Sequence, residues 1–240
     1  MAKPERRNAL GLAELERLAE IALSLQRDPP KVLSILAEGL SFGVGGDIQE
    51  FGQQLEQGCM HEWLSQAISH FNIAIQGLRD LDSAIVVGVQ GAAAGGTLGL
   101  IWVADHVIAA DNLNLNLAYA KIGGSPDGGT SWFLPRLVNP LRAFEMFTLC
   151  PSLDASLAKH WGLVNHVVPL PELPDRVDQV VAQWLDVPNV SLVQFKRLLR
   201  QSLGSELSHH LHQEMLGFQH ASTQAEFAQR VHGFLSKIPT

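Results

Sequence analysis

Three observations predict an α/β fold. Short apolar runs at 31–38, 84–90, 106–110 and 164–168 recur along the chain, and segments with helical spacing separate them. Strands joined through helices must pair in parallel, because each crossover returns the chain to the same end of the sheet. The 240 residues are 46% hydrophobic and only 17% charged, which suits a buried core that needs neither disulfide nor metal.

Each element follows from its own pattern. Residues 9–27 carry Leu10, Leu12, Leu15, Leu18, Ala22 and Leu25 at helical spacing, and Asp28-Pro29-Pro30 stops that helix because proline brings no N–H. The run 31–38 reads as a buried strand that enters a glycine turn at 39–47. Residues 48–81 are helical, with a break near Gly58 and Cys59. A second strand at 84–90 runs into the turn 91–99, which opens an apolar helix to Ala104. Next come a strand at 106–110 and Leu113-Asn-Leu-Asn-Leu117, whose alternation is that of a half-buried strand. A third glycine turn, 123–129, precedes helices near 129–136, at 140–149 and from about Leu153. After the strand 164–168 the pattern is helical, broken at Pro171, Pro174, Pro188 and Gly204. A boundary near 188–190 divides an α/β core, 1–188, from a helical region, 189–240.

Charge and composition narrow the function. The 17 Lys+Arg against 24 Asp+Glu give a net charge of −7, which speaks against nucleic acid as a partner. No uncharged apolar run is long enough for a membrane span, and the start lacks a signal-peptide pattern, so the expected setting is cytoplasmic with no membrane partner. Cys59 and Cys150 form no paired motif, and no metal site is expected. His209, His210, His212 and His220 read as a solvated or interface helix.

The glycine turns carry the chemical signal. Glycine lets backbone approach a ligand, and a helix N-terminus offers unpaired N–H groups to negative charge. Two such turns face to face can aim two donors at one oxygen, which is an oxyanion hole. Either turn alone can equally be a tight connection. No Gly-Lys-Ser/Thr follows either turn, and neither fits GxGxxG with a later acid.

The motifs Pro4-Glu-Arg-Arg-Asn-Ala-Leu10, Phe42-Gly-Val-Gly-Gly-Asp-Ile48 and Gln90-Gly-Ala-Ala-Ala-Gly-Gly-Thr-Leu-Gly-Leu100 with Asp105 occur in that order. They continue through Lys121-Ile-Gly-Gly-Ser-Pro-Asp-Gly-Gly129, Leu134-Pro-Arg-Leu-Val138, Trp161-Gly-Leu-Val-Asn165 and Phe234-Leu-Ser-Lys-Ile-Pro239. Together they resemble the crotonase superfamily of enoyl-CoA hydratases and isomerases over nearly the whole chain. The resemblance implies a spiral of β-β-α units that lacks its first strands here, with 189–240 as a trimerisation region. It implies a homotrimer or a dimer of trimers. It also implies an acyl-coenzyme A substrate and no separate cofactor, since coenzyme A is part of the substrate. The oxyanion donors would be the N–H groups of Gly46 and Gly96. Val44, Gly45, Asp47 and Ile48 would line the adenine and thioester side, and Lys237 would reach a coenzyme A phosphate unless it is simply solvated.

Side chains then choose the reaction. The two glutamates that hydratases of this family use fall on Gly99 and Tyr119, and neither can serve as a carboxylate base. Asp127 matches the acid/base aspartate of enoyl-CoA and dienoyl-CoA isomerases and the nucleophile of dehalogenases. Isomerisation needs only one carboxylate, which removes a proton and returns it elsewhere. Pro126-Asp-Gly-Gly129 is also an ordinary turn and N-cap sequence, so capping is the competing role for Asp127. Tyr119 is a pocket hydrogen-bond donor or plain packing. A dehalogenase's helper histidine would fall near Asn72, and His70 lies two residues away on another helix face. Asp47 and Asp105 read chiefly as braces of the turns. The expectation is therefore an enoyl-CoA isomerase. The alternatives are hydration, hydrolysis, decarboxylation or dehalogenation, or an inactive acyl-CoA-binding protein.

Overall fold

A computed structural model describes residues 1–237. A 3-10 turn at Pro4–Arg6 leads into α1 (Leu12–Arg27), which ends before the two prolines, and then into β1 (Val32–Ile35). Helices α2 (Ile48–Glu56) and α3 (Met60–Asp80) flank the expected break. Strand β2 (Ala84–Val89), a three-residue β3 (Ala92–Ala94) and α4 (Thr97–Trp102) follow. Next come β4 (His106–Ala110), β5 (Asn114–Asn116), a 3-10 turn at Tyr119–Ile122, α5 (Thr130–Val138) and α6 (Pro140–Leu149). Then come β6 (Leu153–Asp154), α7 (Ala155–His160) and β7 (His166–Val168). After a 3-10 turn at Leu170–Glu172 the chain is helical: α8 (Leu173–Asp186), α9 (Asn189–Ser202), α10 (Leu207–Ser222) and α11 (Ala225–Leu235).

Two sheets organise these elements. Four parallel strands run in the order β1-β2-β4-β7, with Val32 opposite Ala84, Val86 opposite His106 and Ile108 opposite His166. A smaller sheet has the order β3-β5-β6, with β3 parallel and β6 antiparallel to β5. All six residues of β2 are buried, as a central parallel strand covered on both faces should be. One face packs on α8 through Val86, Ile108, Leu173 and Val177. Gly88 permits that approach, since a Cβ there would lie 3.0 Å from Val177. The main core gathers Phe42, Phe71, Leu98, Ile101, Leu115 and Met146. Helix α1 lies against α3, where a Cβ on Gly77 would come within 2.9 Å of Ala22.

Helix α9 is tied to the α/β core by charge. The buried Lys196 ammonium donates to Ser83 O at 2.8 Å and to Asp105 Oδ2 at 2.6 Å. The Arg200 guanidinium donates to the carbonyls of Arg79 and Leu81. Arg197 forms a paired contact with Asp82. Among the described residues no helix is long and apolar enough to cross a membrane.

Several sequence expectations need correction. The first strand is four residues long and half-exposed rather than a buried run over 31–38, because β1 is a sheet edge that pairs only with β2. Strand β3 sits inside what reads as a continuous glycine turn. Leu153 opens a two-residue strand, and the helix starts at Ala155, capped by Asp154. Pro174 lies in the first turn of α8, where its missing N–H costs nothing, so it starts that helix rather than breaking one. The alternation at 113–117 is buried on both sides at Asn116, whose amide donates to Cys150 O and Pro151 O.

Candidate active site

The two glycine turns meet. Gly43 bridges Ala93 in parallel, with its N–H donating to Ala92 O and its carbonyl accepting from Ala94 N. Thr97 Oγ1, fully buried, donates to Ala94 O at 2.6 Å and lies 3.0 Å from Gly43 O, stitching the turns together. Gly45 has φ +88, a conformation that favours glycine, and a Cβ there would lie 3.1 Å from Ala94 O and 3.4 Å from Gly96 N. The two turns are thus in van der Waals contact across Gly45 and Gly95–Gly96.

The first turn is held from the N-terminal motif. Leu10 bridges Gly46, its N–H donating to Gly45 O and its carbonyl accepting from Asp47 N. The Gly46 N–H therefore faces away from Leu10. Among the described residues neither the Gly46 nor the Gly96 N–H meets a protein acceptor. Asn8, buried with φ +54, donates its amide to Glu38 O and Ser41 O. Asp47 accepts from Gln49 N and Glu50 N at the start of α2 and pairs with Arg6. That carboxylate is buried and engaged, so Asp47 braces the turn.

Asp127 lies against the second turn. A Cβ built on Gly96 would be 3.2 Å from Asp127 Oδ1 and 3.3 Å from the Phe71 ring. Tyr119, buried, donates its hydroxyl to Asp127 Oδ1 at 2.7 Å and lies 3.2 Å from Thr130 Oγ1. Ala118, at φ +61, turns the chain to present Tyr119. Helix α5 follows Gly129 without a side-chain cap, so the Asp127 carboxylate does not cap it. Burial raises the Asp127 carboxyl above its ordinary range, and the Tyr119 hydrogen bond opposes that rise. The Tyr119 phenol is raised too, first by burial and then by the Asp127 charge, so it stays a donor.

The position of the missing glutamate is filled. A Cβ on Gly99 would lie 2.3 Å from Gly128 O, so the Asp127 turn occupies the space that a side chain there would need. The residue of α3 that reaches Gly96 is Phe71, whereas His70 lines a groove with His61 and Ser69 and Asn72 is exposed. Val44 is half-buried, Ile48 is exposed beside the Gly46 turn, and Lys237 is exposed just beyond α11. Asp105 accepts from Ile85 N and Lys196 and so braces β2 against β4. Phe71, Thr130, Arg6 and Asn8 escape sequence reasoning as parts of this site. Only Asn8 and Arg6 carry a signal, their place in the first motif.

Paired glycine turns with free N–H groups and one half-buried carboxylate beside them define a fold that can hold an acyl carbonyl next to a proton-transfer group. The family model for enoyl-CoA hydratase/isomerase matches residues 1–240, and the chain belongs to that family. Over 237 residues it is 27% identical to the 1,2-epoxyphenylacetyl-CoA isomerase of Escherichia coli, spanning 98% of this chain and 90% of that one. Over 121 residues it is 34% identical to the carnitinyl-CoA dehydratase of Citrobacter koseri, covering 50% of this chain and 46% of the other. A crystal structure from Mycobacterium abscessus, described as an enoyl-CoA hydratase/isomerase, superposes with a TM-score of 0.94. It is 30% identical and covers 99% of this chain and 92% of its own. The fold is the crotonase fold.

Proposed function

We propose that this family member is an enoyl-CoA isomerase in which Asp127 is the acid/base. The carrying observation is the approach of Asp127 Oδ1 to Gly96, with Tyr119 as its partner. The thioester oxygen accepts from the N–H groups of Gly46 and Gly96. Asp127 takes a proton from C2 of a 3-enoyl chain, and the electron pair of that C–H bond moves into a dienolate held by the two donors. The protonated carboxyl returns the same proton to C4 as the double bond settles between C2 and C3. The carboxylate is regenerated, and neither water nor a redox partner is consumed, so no cofactor beyond the substrate's own coenzyme A is required.

Tyr119 orients the carboxylate through its hydrogen bond to Oδ1. This makes it a positioning residue. Val44, Gly45 and Ile48 flank the thioester, and Lys237 is the candidate for a coenzyme A phosphate. The reading carries with it a cytoplasmic setting and assembly as a homotrimer or dimer of trimers. Supporting assembly, α10 and α11 leave Leu207, Leu211, Phe218 and Phe234 exposed. The net charge of −7 supports the absence of a nucleic-acid partner.

The test is turnover of 3-enoyl- and 2-enoyl-CoA by wild type and Asp127→Asn. Loss of double-bond migration by about 10²-fold or more is expected, and unchanged turnover would remove Asp127 from the mechanism. A second reading, hydration or dehydration, is favoured by the relative named as a carnitinyl-CoA dehydratase. Incorporation of oxygen from labelled water into product would establish it over isomerisation.

A further inference from the structure

Helix α3 presses two buried apolar side chains, one helical turn apart, onto the seam between the Gly96 turn and the Asp127 turn. The upper contact is Phe71. A Cβ on Gly96 would lie 3.3 Å from Phe71 Cε1, and one on Gly128 would lie 2.9 Å from Cζ and nearer still to Cε1. The lower contact is Ile75. A Cβ on Gly99 would lie 3.2 Å from Ile75 Cδ1, and one on Gly129 would lie 3.7 Å from Ile75 Cγ2. Residues three or four apart share one helix face, so α3 meets the start of α4 in register. The four glycines bring no side chains to this seam, and the Phe71 ring edge stands between Gly96 and Gly128.

Those two glycines are not ordinary neighbours. Gly96 carries an N–H that meets no protein acceptor among the described residues, and Gly128 follows Asp127 directly. The point beside Gly96 that is 3.3 Å from the ring is also 3.2 Å from Asp127 Oδ1. Ring edge and carboxylate therefore flank one space next to the donor. A ring carbon offers a carboxylate no hydrogen bond and keeps water from it, which favours the neutral acid. Burial is the leading cause of the raised Asp127 carboxyl. Tyr119 is the titratable group that touches it, and Thr130 lies beyond that hydroxyl. From α3 and α4 the facing groups are Phe71 and Gly96, neither of which titrates.

We infer that Phe71 is a positioning residue: its ring is the wedge that sets the Gly96 N–H against the Asp127 carboxylate and shields that carboxylate from water. The inference rests on the reading above of Asp127 as acid/base and adds to it a residue of α3 that acts through the two turns. A phenylalanine that only packs the core would stabilise the fold and leave the behaviour of Asp127 unchanged.

Two variants test it. Phe71→Leu keeps apolar bulk and removes the ring edge, and Phe71→Ala removes the wedge altogether. With 3-enoyl-CoA, kcat should fall about tenfold for Phe71→Leu and about 10²-fold for Phe71→Ala, with KM within about threefold of wild type. The acid limb of kcat/KM should move to lower pH in both, because water then reaches the carboxylate. That direction is opposite to the one expected on loss of the Tyr119 hydrogen bond. Carbon NMR of protein with labelled aspartate carboxyls follows Asp127 directly, its signal identified by its absence in Asp127→Asn. The titration should move to lower pH in Phe71→Leu, and this variant decides the matter where Phe71→Ala does not fold. A lower melting temperature with wild-type kcat, acid limb and carboxyl titration would overturn the inference. So would a fall in kcat with an unmoved titration, since general loosening of the core gives that result. Asp127-dependent turnover with neither kcat nor titration moved defeats this inference alone. A displaced titration in a protein that isomerises no enoyl-CoA defeats the isomerase reading alone.

Discussion

At the scale of single residues, the Asp127–Tyr119 pair sets the pH behaviour. Burial holds the Asp127 carboxyl above its ordinary range, so the folded state binds that proton more tightly than the unfolded state does. The group's stabilisation is therefore complete below the unfolded pKa and is lost as pH rises through the folded one. Asp127→Asn should melt above wild type at neutral pH, with the margin closing as pH falls into the ordinary carboxylate range. Thermal melts across that range check this. Catalysis has the opposite requirement, because the base must be ionised, and kcat/KM should fall on the acid side at a pH above that of an ordinary aspartate. Tyr119→Phe removes the hydrogen bond that favours ionisation. Its acid limb should move to higher pH, and a pH–rate profile with an unmoved limb would contradict the positioning role. Asp127 and the two glycines stand out in the sequence because their motifs carry them. The pairing of Tyr119 with Asp127 does not, since an aromatic eight residues before an aspartate has no recognisable spacing.

At the scale of elements, glycines decide which chemistry the turns can hold. Gly99 lies under Gly128 so closely that even a methyl group would displace the Asp127 turn. Gly99→Ala should cost about 1–3 kcal/mol in denaturant unfolding, as overpacking does, and should lower kcat more than it changes KM. Gly99→Glu restores the side chain type found in hydratases but meets the same backbone, so no hydration activity should appear. This incompatibility is invisible in the sequence, because residues 99 and 128 are distant in the chain and only the folded turn brings them together. Strand β3 was hidden for a related reason. Ala92-Ala-Ala94 between glycines has neither β-branching nor alternation, and its strand character comes from pairing with β5 and Gly43. The longer helices, by contrast, follow their apolar spacing closely, and α6 spans the expected Pro140–Leu149.

At the scale of the whole molecule, the C-terminal helices divide into one fixed to the core by a buried charge and two that bury almost nothing. Helix α9 is fixed to the core through Lys196, which is buried against the partly exposed Asp105. Lys196→Met should cost about 2 kcal/mol, below the range for a fully buried pair because Asp105 retains some solvent, and should loosen α9 in limited proteolysis. Helix α10 buries only Gly217, and α11 buries no residue. Leu207, Leu211, Met215 and Phe218 recur along α10 at helical spacing and remain exposed, with Phe234 on α11. Each such side chain gains about 1.5–3 kcal/mol when covered, which is the drive behind the proposed assembly. If the proposed homotrimer or dimer of trimers forms, sedimentation gives a mass three or six times 26.2 kDa. The double substitution Leu211→Glu with Phe218→Glu places charge on that face without touching the α/β core. It should reduce the mass to that of one chain while circular dichroism retains the helix and sheet signal. Wild-type protein that sediments as a single chain at micromolar concentration would remove the assembly reading, and the exposed face of α10 would then need another explanation.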